Sequence, residues 1–322
     1  MDFFIFASLL ATGLILLIKG ADLFIDNISD LGKKIGLSDM FLGITIVALG
    51  TSIPEVFVSI SSVINLKPEI AIGNSIGSNI ANLGIVFGFT CFLITRSIIT
   101  LNLRDIFLLF LTSLLAGYVL FDYKISISDS ILMIGLFMLF TLHLMRQKPQ
   151  KNLVTSISKS TLQLVLFSLL SLILLLIGSE LTVAYGSKLA SLIGISDVVV
   201  GLTMVAIGTS LPELATSYSA LKQKKGNLVI GNIIGSNILN IVLVFPIIGL
   251  SIVRVFESTI LMRDYFMMAI LTAIFITYLS LGDFQNSFKK KTAPLIGIFL
   301  LGFTFYYCLL YTSDAADDDV RV

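Results

Sequence analysis

The chain has 322 residues, 56% of them hydrophobic and only 13% charged, with a mean hydropathy of +1.01. A water-soluble fold is excluded, because its exterior must be largely polar and could not hide that much apolar surface. The net charge of +1 leaves no electrostatic footprint for nucleic acid, and Cys91 and Cys308 have neither metal-ligand nor redox spacing.

A membrane span needs roughly 20 apolar residues, and the chain resolves into ten such runs. The N-terminus has no basic region and no small-residue cleavage site, so the first run is expected to be a retained span rather than a signal peptide. In chain order the predicted spans of the first half are Phe4–Leu31, Asp39–Val63, Ala71–Leu93, Asp105–Phe121 and Ser128–Leu144. Those of the second are Leu162–Leu189, Asp197–Leu221, Val229–Leu250, Arg263–Leu281 and Ala293–Leu310. The predicted fold class is an all-α membrane protein of ten transmembrane helices.

The basic stretch between the halves is too short for a folded domain and reads as a linker. The expected organisation is a first repeat over 1–145, a cytosolic linker over 146–160 and a second repeat over 161–307. From Cys308 the string CLLYTSDAADD looks like the translated adapter of a sequencing library. Residues 308–322 are accordingly expected to be a non-native tail.

Lysine and arginine set the expected orientation. With the N-terminus outside, the inside loops hold 14 of them and the outside loops 5. Both termini are therefore expected outside, in a multi-pass protein of the cell (inner) membrane.

Self-similarity is the most informative feature of the chain. GTSIPE, Gly50–Glu55, recurs as GTSLPE, Gly208–Glu213, and GNSIGSNIAN, Gly73–Asn82, recurs as GNIIGSNILN, Gly231–Asn240. Every pair is 158 residues apart, and about half the positions between Gly36 and Asn82 match their partners without a gap. Five spans per half means that the second half enters the membrane from the opposite side. Inverted repeats that meet at the midplane through discontinuous helices are a transporter architecture.

Pro54 and Pro212 fall within predicted spans, where each lacks an N–H and clashes with the preceding turn. Gly50 and Gly208, four residues earlier, let the backbone open. Carbonyls around Ala48, Gly50 and Thr51, and around Ala206, Gly208 and Thr209, are expected to become cation ligands. Thr51, Ser52, Thr209 and Ser210 add hydroxyls. Glu55 and Glu213 follow, each costing several kcal/mol in lipid unless a cation accompanies it.

The glycines of the second motif form GxxxG pairs suited to close helix approach. Packing alone does not call for its polar set: Asn74, Ser78, Asn79 and Asn82, with Asn232, Ser236, Asn237 and Asn240 in the second half. Ser78 and Asn82 share a helix face, as do Ser236 and Asn240, and they are expected to close the far side of the site. An all-oxygen inventory suits hard cations such as Ca²⁺ and Na⁺. The single histidine, His143, is expected to be interfacial. Asp22 and Glu180 match at the repeat offset and are expected to snorkel or cap helix ends.

At GTSIPE…GNSIGSN and GTSLPE…GNIIGSN the chain resembles the Ca²⁺/cation antiporter superfamily, close to prokaryotic sodium/calcium exchangers. The resemblance covers nearly the whole chain. It implies four ion subsites in a diamond and a first and sixth helix that slide across the core to alternate access. The implied ligands are Ala48, Thr51, Ser52, Glu55, Ser78 and Asn82, with Ala206, Thr209, Ser210, Glu213, Ser236 and Asn240. Some members, including the potassium-dependent branch, carry Asp at the position of Asn240, so Asn240 argues against potassium dependence. The lack of a large cytosolic loop puts Ca²⁺-sensing regulation in doubt.

The function expected is Na⁺/Ca²⁺ antiport, with Ca²⁺/H⁺ exchange as the competing reading. A passive channel fits an inverted repeat poorly, and no nucleophile–His pair or Asp dyad within the spans suggests an enzyme. No cofactor is expected; Ca²⁺ and Na⁺ are substrates. The bilayer is the only partner expected, with the monomer as the functional unit.

Overall fold

The computed structural model describes residues 2–94, 99–100, 102–146, 157–193, 208–251, 256–281 and 287–319, with side chains as far as residue 308. The described residues with regular structure are almost all helical. The first half comprises α1 (Asp2–Ile35), α2 (Asp39–Thr51), α3 (Ile53–Ile64), α4 (Pro68–Thr90), α5 (Leu103–Leu120) and α6 (Ile127–Met145). The second comprises α7 (Thr161–Leu192), α8 (Leu211–Lys222), α9 (Gly226–Gly249), α10 (Ile260–Ser280) and α11 (Ser287–Asp319).

Eight of these helices are long and apolar enough to cross a membrane, and nine if the bent pair α2 and α3 is one span. The predicted span Asp197–Leu221 is represented only by α8, because 194–207 lie outside the described residues.

The helix starts follow local chemistry. Ser126 with Asp129 and Ser160 with Gln163 form capping boxes at α6 and α7, satisfying amide groups that the first turn leaves free. Pro54, Pro68 and Pro212 each occupy the first two positions of a helix, where a missing N–H costs nothing.

The repeat is visible in the backbone. α3 and α8 begin and end at residues 158 apart. Ser52, before α3, has φ −84° and ψ 5°, and Ser210, before α8, has φ −92° and ψ 4°. The turns after both helices place a non-glycine residue at positive φ, Leu66 at 60° and Lys224 at 58°. Sequence identity at an offset has become identity of local conformation.

Burial sorts the helices into layers. In the most apolar 18-residue window, 94% of α9 is buried against 17% of α1. α9 is thus the central rod, touched by α2 to α6 and α8, while α1 and α7 pair along their length at the periphery. Gly13 of α1 meets Leu181 and Thr182, Gly20 meets Leu175, and Gly178 of α7 meets Leu17. The numbers fall on one helix as they rise on the other, so this repeat-related pair runs antiparallel. α4 and α9 do the same: Ser75 donates to the carbonyl of Asn240, and Asn79 to that of Asn237.

Two side chains make links that the sequence did not suggest. His143, in the last turn of α6, has its Nε2 2.7 Å from Oδ1 of Asp105, tying α6 to α5. Asp22 neither snorkels nor caps. Its carboxylate accepts from Ser219 Oγ at 2.7 Å and faces Lys222 Nζ at 3.7 Å, joining α1 to the end of α8.

Candidate functional site

The two glutamates sit at the helix breaks. α2 ends at Thr51 and α3 begins at Ile53 with a 42° change of direction, and Glu55 lies in the first turn of α3. Pro54 brings no N–H, so the Gly50 carbonyl four residues back receives none. In the second half, Ser179 of α7 donates to the corresponding carbonyl, that of Gly208, at 3.3 Å. The residue related to Ser179 in α1 is Ala21, which has no donor, so the two broken backbones are completed differently.

Ala48 requires a correction. Its carbonyl is not released by the break, since it accepts the Ser52 N–H at 3.0 Å and is approached by Thr51 Oγ1 at 3.4 Å. Only its second lone pair is left for a ligand. A π-helical turn over Gly43–Val47 precedes it, so the helix loosens one turn earlier than Pro54 alone suggests. Ala206 lies outside the described residues.

Glu55 and Glu213 are 0% and 1% exposed, and neither carboxylate has a hydrogen-bond partner among the described residues. Ser78 is the hydroxyl facing Glu55, while Thr51 and Ser52 face Glu213. The first half therefore contributes hydroxyls to both glutamates, its own and that of the second half. Ser78 Oγ also lies 3.2 Å from Thr209 Oγ1, again across the halves.

Ser52, Asn82, Ser210, Ser236 and Asn240 are all buried, and each carries a side-chain oxygen with no partner among the described residues. Among the described residues, Asn82, Ser210 and Ser236 make no side-chain hydrogen bond to another expected ligand. Leaving so many buried oxygens unbonded costs about 1–3 kcal/mol for each neutral group and more for a carboxylate. A bound cation removes that cost for all of them together. Among the described residues, no three His, Cys, Asp or Glu side chains cluster, so the charge of the site rests on the glutamate pair.

A supporting layer joins Asn74 and Asn232, both in the polar set singled out in the sequence, to Ser59 and Thr216, which were not. Asn74 Nδ2 and Ser59 Oγ both donate to the Glu55 carbonyl, at 3.2 and 2.7 Å. Asn232 lies 3.5 Å from both Thr51 Oγ1 and Thr216 Oγ1, linking α9 to the ends of α2 and α8. Thr216 follows Glu213 by three residues, a spacing that could have marked it. Nothing in the sequence pairs Asn232 with Thr51.

An antiparallel helical frame with two unpartnered carboxylates inside it defines a membrane transporter of hard cations. The sodium/calcium exchanger protein family matches residues 5–146 and 163–313, and the chain belongs to that family. It is a multi-pass membrane cation exchanger, not an enzyme.

Among its relatives, the protein CaxA of Alkalimonas amylolytica is 34% identical over 94% of this chain and 97% of its own length. The sodium/calcium exchanger MaX1 of Methanosarcina acetivorans is 32% identical over 75% of this chain and 82% of its own. Among solved structures, the sodium-calcium exchanger NCX_Mj superposes with a TM-score of 0.79 at 28% identity, covering 94% of this chain and 98% of that one.

Proposed function

We propose that the chain exchanges Na⁺ for Ca²⁺ across the inner membrane by alternating access at this site. The carrying observation is the pair of buried carboxylates, one from each half, with no side-chain partner among the described residues. Their two charges balance one Ca²⁺. Several Na⁺ can occupy the same hydroxyl, amide and carbonyl oxygens in its place, and mutually exclusive occupancy of shared ligands is what couples the two fluxes.

In this reading ten spans form two inverted five-helix repeats, both termini lie outside, and the monomer in its bilayer is the working unit. The antiparallel course of the repeat-related pairs α1/α7 and α4/α9 supports the inversion. The ligands are the oxygens of Ala48, Thr51, Ser52, Glu55, Ser78 and Asn82 with those of Ala206, Thr209, Ser210, Glu213, Ser236 and Asn240. α1 and α7 are the elements that move, consistent with their peripheral packing.

Ca²⁺/H⁺ exchange remains the competing reading, because an unpartnered carboxylate pair also accepts protons. Ca²⁺ uptake into vesicles separates the two. An outward Na⁺ gradient is expected to drive uptake that persists with a proton ionophore and does not need K⁺. Uptake indifferent to Na⁺ and abolished by the ionophore would exclude sodium coupling.

A further inference from the structure

We propose that Asn79 is a positioning residue: it turns the side-chain amide of Asn240 so that oxygen, not nitrogen, faces the transported cation. The inference rests on the reading of Asn240 as a cation ligand. An asparagine amide has an accepting end and a donating end of nearly the same shape. A cation binds only the first, so a flipped amide removes a ligand and turns the donor end toward the ion. In a buried site the choice is made by whatever holds the other end.

Here that end is held by a relay anchored on the backbone. Asn79 Nδ2 donates to the main-chain carbonyl of Asn237 at 3.0 Å. A carbonyl accepts only from the NH₂ end, which fixes the orientation of Asn79. Its Oδ1 is thereby turned to Asn240 and accepts from Nδ2 of that residue at 3.1 Å. With its nitrogen engaged, Asn240 is left with a fully buried Oδ1 that has no partner among the described residues. Ser75 donates to the Asn240 carbonyl at 2.6 Å and holds the backbone in place.

The other half does not build the same relay. Asn237, the repeat counterpart of Asn79, donates to Ile233 of its own helix at 2.7 Å. Its Oδ1 has no partner among the described residues, and both amide atoms of Asn82, the counterpart of Asn240, are likewise without one. One asparagine of the pair is oriented by a hydrogen bond, and the other has none to orient it among the described residues. An aspartate at 240 would need no such relay, because a carboxylate presents oxygen either way round.

That difference supplies the test. Ca²⁺ affinity is measured on the purified full chain for Asn79→Ala and Asn79→Leu, each with Asn240 intact and in an Asn240→Asp background. Leucine keeps the branched heavy-atom skeleton of asparagine without its polar atoms and serves if the alanine variant does not fold. With Asn240 intact, either substitution is expected to weaken Ca²⁺ roughly tenfold, as loss of a partner that orients a metal ligand does. In the Asn240→Asp background the loss is expected to shrink to within about twofold, and Asn237→Ala alone is expected to have a similarly small effect. Equal losses in both backgrounds would mean that Asn79 is only structural and would overturn the proposal. Asn240→Ala tests the underlying reading separately: unchanged Ca²⁺ affinity there removes Asn240 from the site, whatever Asn79 does. Weakened affinity in Asn240→Ala with none in Asn79→Ala overturns the positioning role alone.

Discussion

Glu55→Gln and Glu213→Gln are each expected to abolish Na⁺/Ca²⁺ exchange while making the cation-free protein more stable. Both glutamates are buried without a hydrogen-bond partner among the described residues. In the absence of a cation their charges are a burden, and a neutral amide of the same shape relieves it. With Ca²⁺ bound, the sign reverses, because each carboxylate supplies half of the compensating charge. Removing one partner of a buried ionic pair costs on the order of 3–5 kcal/mol. A loss of about 3 kcal/mol already weakens binding more than a hundredfold.

Thermal unfolding in detergent, with and without Ca²⁺, reads both effects at once. The unsubstituted protein should gain Tm with Ca²⁺, since a ligand that binds only the folded state stabilises it by mass action. Each variant should start from a higher Tm without Ca²⁺ and show no shift when it is added. A preserved Ca²⁺ shift in either variant would remove that glutamate from the site. A lower Tm in the absence of Ca²⁺ would mean that the carboxylate makes a structural contact instead.

The second large effect is expected at the crossing of α2 and α9. A side chain on Gly43 would strike the Leu228 carbonyl and come within 2.9 Å of Asn232 N and 3.0 Å of Gly231 Cα. One on Gly231 would lie 2.5 Å from the Met40 carbonyl and 3.0 Å from Ile44 N. All of these atoms are backbone, so no rotamer change makes room and the helices must separate. Overpacking typically costs about 1–3 kcal/mol and occasionally more, and Gly43→Val or Gly231→Val should fall at the upper end of that range.

The consequence reaches the site, because Asn232 is the next residue after Gly231 and lies against Thr51. Both variants are expected to lose Tm and Ca²⁺-dependent stabilisation together. Gly302 is the control. Nothing lies within 4 Å of a side chain placed there, so Gly302→Ala should leave transport intact and stabilise α11 by up to about 1 kcal/mol. Equal damage at Gly302 would show that helix glycines matter here for a reason other than close approach.

Most of the scaffold was legible in one dimension. Long apolar runs predict spans because lipid tolerates little else; eight of the predicted spans are helices long and apolar enough to cross, Asp39–Val63 is a bent pair, and Asp197–Leu221 lies partly outside the described residues. The break before Glu55 was also readable, since Pro54 cannot continue the hydrogen-bond ladder. The carbonyl of Ala48 was misjudged for a local reason: the chain turns at Ser52, one residue after α2 ends, so the Ser52 N–H still reaches it. The partners of His143 and Asp22, Asp105 on the preceding helix and Ser219 in the opposite half, were not legible because they are distant in sequence.

What the sequence by itself determined is the inventory: two related halves, one glutamate in each, and a surplus of buried oxygen around both. These follow from hydropathy, proline chemistry and a constant offset, all of which are properties of neighbouring residues or of direct comparison along the chain. What only the tertiary structure decided is the pairing. Ser78 faces Glu55 from α4, Thr51 and Ser52 face Glu213 from the opposite half, and Asn79 anchors Asn240 through the backbone of Asn237. Such contacts depend on where helices cross, and the crossings are set by glycines meeting backbone at a few ångströms, as Gly43 meets Gly231. A repeat that is symmetric in sequence thereby acquires an asymmetric amide relay, with Asn240 held and Asn82 without such a bond among the described residues.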